Sequence, residues 1–208
     1  MAQYHVGPRA VYNFTYGLSH QHCWAGAVNN RYIDGPTGCA KEYNLVARNI
    51  TYMKLNARTF LRDLEPHAPF FLYVGFGDVH RCREGSAIGA FCENYGAPGW
   101  SEGAIPDWTP TRYPSKSVAV PAFLPDTSAV RSDLSGLYTA WSRLDQGVGL
   151  LMEEVAAVGA ANTTLSIFFS DNGTPFPSGK TNLFTEQVRP AVRPLLACAA
   201  MRLKARVP

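Results

Sequence analysis

The stretch Thr164-Leu-Ser-Ile-Phe-Phe-Ser-Asp-Asn-Gly173 decides the fold. A short apolar run of this length suits a strand buried in a parallel sheet. It ends abruptly on a hydroxyl, a carboxylate, an amide and a glycine. In open α/β sheets, ligands bind beyond the carboxyl ends of strands. Asp171 and Asn172 therefore stand where chemistry is expected.

Upstream, Asp126-Thr127-Ser128 supplies an N-cap for a long helix running to about Val158. Val130, Leu134, Leu137, Tyr138, Trp141, Leu144, Val148, Leu151, Met152 and Val155 line one stripe of it. Gly147 and Gly149 weaken the helix slightly, which close packing would explain, and Gly159 is a suitable C-cap. A second apolar run, Pro69-Phe-Phe-Leu-Tyr-Val-Gly-Phe76, predicts another buried parallel strand, ending at Gly77-Asp-Val-His-Arg-Cys82. Before it, a helix is expected from about Tyr43 to Leu64, with Ile50, Met53, Ala57, Phe60, Leu61 and Leu64 on one face. Pro66 stops it. Residues 83–125 read as a long ordered loop of the kind that often carries function, and residues 17–42 as a loop rich in Gly, Asn, His and Cys. Helix, strand, loop, helix, strand is the alternation that gives an α/β fold with a mostly parallel central sheet.

Composition narrows the classes of function. With 46% hydrophobic and 17% charged residues, the chain is globular rather than disordered. Its net charge is only +3 and it has no Lys/Arg block, which argues against nucleic acid as a partner. No run of 18 apolar residues exists, so no membrane span is expected, and residues 1–12 do not read as a signal peptide. Five cysteines leave at least one unpaired. Asn13, Asn49, Asn162 and Asn172 each open an N-glycosylation sequon, which points toward the secretory pathway.

The candidate site residues have alternative readings. Asp171 and Asn172 offer hard oxygen donors suited to Ca²⁺ or Mg²⁺, or they form a plain Asp-Asn-Gly turn. His80, at the end of the first strand, is a general acid or an anion donor, or a surface loop histidine. Arg81 contacts an anion or is simply solvated. Lys180 is a point charge for sulfate or phosphate, or an ordinary surface lysine. Cys82 and Cys92 bracket a loop beside His80, as a disulfide or as two free thiols. No Cys-x-x-Cys, Gly-x-Ser-x-Gly or Walker sequence occurs.

Taken in order, several segments resemble the sulfatase family. They are His5-Val-Gly-Pro8, Arg48-Asn-Ile-Thr51, Pro69 to Val74, Asp78-Val-His-Arg-Cys82, Phe91-Cys-Glu93, Ile105-Pro-Asp-Trp-Thr-Pro110, Asp145-Gln-Gly-Val-Gly149, Ser170-Asp-Asn-Gly173, Pro175-Phe-Pro-Ser-Gly179 and Thr181-Asn-Leu183. The resemblance implies an alkaline-phosphatase-like α/β sandwich, here incomplete, with 1–184 as the central part of a catalytic domain. Residues 185–208 then form a divergent, poorly ordered tail. It implies a lysosomal hydrolase that removes N-linked sulfate from glucosamine residues of heparan sulfate, a glycosaminoglycan. That enzyme uses Ca²⁺ and a formylglycine nucleophile made from cysteine, and as a full-length protein is compatible with a homodimer. Asp171 and Asn172 would be calcium ligands. His5, His80 and Lys180 would bind sulfate or move a proton. Cys82 and Cys92 would form a disulfide, and Asn13, Asn49 and Asn162 would be glycosylated.

The departures from the family are specific. None of Cys23, Cys39, Cys82, Cys92 and Cys198 begins Cys-x-Pro-Ser-Arg, the nucleophile motif. The paired aspartates that complete the calcium site are also missing, and Gln3 stands where the family has a lysine. Residues 17–42 exceed the family's loop, and similarity stops after Leu183. The expectation is a sulfatase fragment without turnover. The alternatives are a truncated isoform that binds calcium or a partner, and a related phosphohydrolase, which gives no reason for the loop motifs.

Overall fold

A computed structural model describes residues 27–28, 31–32, 46–84, 87–101, 103–170, 173, 176 and 191–194. Two helices organise them. Helix α1 spans Ile50–Arg62 and helix α2 spans Ser128–Ala157. Both begin on side-chain caps. Asn49 accepts from the Tyr52 amide at 3.0 Å and Thr127 from the Val130 amide at 3.2 Å. Each cap satisfies one of the donors that a helix start leaves open.

The predicted face of α1 is largely the buried one: Ile50, Met53, Ala57 and Leu61 are all inside. The buried face of α2 is rotated from the apolar stripe. It carries Leu134, Gly136, Leu137, Thr139, Ala140, Arg143 and Gly147, whereas Trp141 is exposed and stacked on Tyr138. Gly147 faces α1, and there the helices cross closely. A Cβ on Gly147 would lie 2.6 Å from Ile50 Cγ2 and 2.7 Å from Phe76 Cε1. Arg58 locks the crossing, donating to both carboxylate oxygens of Glu154 at 2.8 and 2.7 Å.

The 83–125 segment is more structured than a loop. It includes part of a hairpin, β3 (Cys82–Glu84) and β4 (Ala87–Ala90), and a 3-10 turn, Ser115–Ser117. It also supplies core. Phe91, Val118 and Leu124 pack with Leu134, Leu137 and Ala140, while Ala97, Ile105 and Trp108 pack with Ile50.

The mostly parallel central sheet is not what the described residues form. They form three two-stranded ladders, all antiparallel: β1 (Ala27–Val28) with β2 (Arg31–Tyr32), β3 with β4, and β5 (Leu165–Phe168) with β6 (Ala191–Pro194). The apolar run 69–76 is extended but unladdered. It lies against α1 through Phe60 and Phe70, and against the end of β5 through Tyr73 and Phe169. Apolar content called for strands covered on both faces, but with one ladder neighbour β5 is open. Leu165, Ile167 and Phe169 are each more than half exposed. The tail, expected to be poorly ordered, contributes β6; its other residues lie outside those described.

Exposed apolar side chains grouped this closely bind hydrophobic dyes. The chain is expected to enhance anilinonaphthalene sulfonate emission. Ile167→Thr with Phe169→Thr should remove much of that signal and leave the helical circular dichroism unchanged. Undiminished dye binding would contradict this placement of β5.

Local ion pairs are expected to make the chain sensitive to acid. Hydrogen bonds from Arg58 hold Glu154 below the usual carboxylate range, and Lys54, 2.6 Å away, does the same for Asp107. The native state therefore binds these protons less tightly than the unfolded chain. Their contribution is complete above the unfolded values of about 4 and is lost as pH falls through the native ones. Asp145 acts in the opposite sense, since burial raises it and protonation relieves it. With Asp126, lowered by its hydrogen bonds from Arg131, three paired carboxylates against one raised by burial predict a net fall in melting temperature below about pH 4. Thermal melts from pH 3 to 7 check it, and Glu154→Gln should show a shallower acid slope.

Candidate functional site

His80 follows Gly77-Asp78-Val79, at the end of the extended run, and its side chain is exposed. Its amide donates to Gly77 O at 3.0 Å, and the Gly77 amide donates to Ala47 O at 2.8 Å. The end of the run is thus tied to the 3-10 turn Val46–Arg48, which leads into α1. The ring Nδ1 donates to the Arg81 carbonyl, which places the neutral ring's lone pair on Nε2. An exposed imidazole in that tautomer can take a proton or, once protonated, donate to an anion.

Beneath His80 lies a buried ionic cluster. Asp78 receives Arg143 through two bonds, Nε to Oδ2 at 2.8 Å and Nη2 to Oδ1 at 2.9 Å. Arg48 Nε lies 3.0 Å from Asp78 Oδ1, and all three side chains are fully buried. Further guanidinium donors go to backbone carbonyls: Arg143 to Tyr95 at 2.9 Å and Cys92 at 3.0 Å, and Arg48 to His80. The Arg143 guanidinium also sits 4.5 Å from the Trp108 ring centroid. Two cations share one carboxylate. Burial lowers the Arg48 pKa, Asp78 opposes that shift, and Arg143 adds to it by repulsion.

Arg81 is partly exposed, and its guanidinium has protein partners. It forms a two-point pair with Asp133, at 2.9 Å for Nη1 to Oδ1, and lies over the rings of Phe91 and Phe176. Lys180, His5, Asp171, Asn172 and Asn13 lie outside the described residues, between or beyond neighbours such as Ser170 and Gly173. Cys92 is disulfide-bonded, and the Cys82 side chain lies outside the described set. Asn49 is the α1 cap, and Asn162 is exposed. Among the described residues, no three His, Cys, Asp or Glu side chains are grouped to hold a metal, and no helix is long and apolar enough to cross a membrane.

Sequence reasoning passed over Arg48 and Arg143. A signal for Arg143 was available: it falls in the 3–4 register of Gly136, Ala140 and Gly147, on the buried face of α2. Arg48 carries no comparable local sign.

Known proteins give this arrangement a class. The chain belongs to the sulfatase family. It is 45% identical over 181 residues, 86% of its length, to N-sulphoglucosamine sulphohydrolase of Homo sapiens. It is 26% identical over 141 residues, 59% of its length, to an ulvan-active sulfatase of Formosa agariphila. It spans 32% and 23% of these curated relatives' lengths. No protein-family model matches it.

Proposed function

We propose that the chain is a sulfate-contacting segment of a hydrolase that removes N-linked sulfate from glucosamine residues of heparan sulfate in the lysosome. The observation that carries this reading is the 45% identity to N-sulphoglucosamine sulphohydrolase over 181 residues. His80, exposed just beyond the 69–76 run and backed by buried guanidinium groups, supports a role in holding sulfate oxygens or moving a proton. His5 and Lys180 join it in this reading. Asp171 and Asn172 offer an adjacent carboxylate and amide oxygen, a donor set that fits Ca²⁺, which would offset charge on the sulfate oxygens. The disulfide of Cys92 pairs with Cys82, beside His80. Asn13, Asn49 and Asn162 carry glycans.

Turnover is a separate matter. No cysteine among the 208 residues begins the nucleophile motif, so these residues alone release no sulfate in this reading. A second reading, a non-catalytic chain that binds calcium or a partner, is favoured by the same fact. One experiment addresses both. N-sulfoglucosamine is titrated into the purified, histidine-labelled chain, with and without calcium, while free sulfate is measured. Movement of the His80 resonances without sulfate release is expected. Calcium-dependent release would overturn the inactivity, and unmoved His80 resonances at saturating ligand would overturn the sulfate-contacting role.

A further inference from the structure

We infer that Arg48, Asp78 and Arg143 form a positioning unit that fixes the backbone of His80. This assignment rests on the proposed role of His80 for its functional meaning, but its geometry stands apart from that role. Four separate parts of the chain meet in the unit. Arg48 comes from the turn before α1, Asp78 from the turn after the 69–76 run, Arg143 from the middle of α2, and the carbonyls of Cys92 and Tyr95 from the segment after β4. Asp78 and Arg143 are 65 positions apart in sequence, and the carboxylate and guanidinium are joined by two parallel bonds.

Arg48 is the link to the site. One side of its guanidinium faces Asp78 Oδ1 and the other donates to the His80 carbonyl. The same turn takes the Gly77 amide through Ala47 O. The residues at both ends of Gly77–His80 are therefore held from one turn, and that turn is held through Asp78 by α2. A flexible histidine would have to be ordered each time it met an anion. A histidine whose backbone is already fixed avoids that ordering cost.

Lysine separates geometry from charge. It keeps the positive charge at position 48 but has no planar fork to bridge a carboxylate and a carbonyl. Amide hydrogen exchange reads the outcome. In Arg48→Lys, protection of the His80 amide is expected to fall about tenfold or more, while Leu137 and Ala140 in α2 change less than about twofold. Equal loss at all three amides would mark a purely global effect and overturn the assignment, as would full protection of His80 in the lysine variant. Should that variant not fold, the unchanged chain still decides. His80 must then exchange within about tenfold of Leu137, since a fixed turn opens only with the core; much faster exchange overturns it. Sulfate titration of the same labelled chain tests the role of His80 independently. An unresponsive His80 ring would remove the functional reading and leave the exchange result to judge the positioning unit.

Discussion

Asp78→Ala is expected to be the most damaging single substitution in the described residues, costing about 3–5 kcal/mol. Two guanidinium groups with no exposed surface share its carboxylate. Without it, both remain buried, and they repel one another. Removing either arginine instead leaves a one-to-one pair with Asp78. The order of loss is therefore Asp78→Ala well above Arg48→Met, with Arg143→Met between them, because Arg143 also serves the carbonyls of Tyr95 and Cys92. Equilibrium urea unfolding checks the order. If Arg48→Met proved as costly as Asp78→Ala, the picture of an excess cation would be wrong.

Gly147→Val should follow closely, at about 1–3 kcal/mol for overpacking and with an added β-branched penalty. The new Cβ alone would fall within 3 Å of both Ile50 and Phe76, and Ile50 is almost wholly buried. The helices would have to separate and disturb the Arg58–Glu154 pair. Gly149, two residues on, is the control, since a Cβ there meets nothing within 4 Å. Gly149→Ala should stabilise the chain by up to about 1 kcal/mol through helix propensity. Opposite signs at two glycines in one helix are measurable by thermal melting. A stabilised Gly147→Val would place α1 elsewhere.

These two positions show what the sequence could and could not convey. Both glycines read alike, because helix propensity is local and the approach of Ile50 is not. The limits of α2 were legible for the same reason, since Thr127 is a cap written in neighbouring residues, and the face of α1 repeats every three to four positions. The start of α1 was not: the expected helix from about Tyr43 begins only at Ile50, after a 3-10 turn and the Asn49 cap. The run 164–169 reads as a strand and is one over Leu165–Phe168. Its partner was not legible, since pairing with Ala191–Pro194 depends on backbone direction rather than on side-chain pattern. Pro69–Phe76 has the composition of a strand without a ladder neighbour among the described residues. The exposed position of His80 was legible from its place after an apolar run. Arg48 was not, because a buried guanidinium and a solvated one look the same until the carboxylate 30 residues away is brought beside it.

The contact between Arg143 and Trp108 gives the ionic cluster its own optical gauge. The indole is almost entirely shielded from water and its ring lies beneath the guanidinium. Any event that pries Asp78 from its arginines would wet that ring and shift its emission to the red. With the other three tryptophans replaced, a fluorimeter could follow the cluster opening in real time, without labels and without turnover.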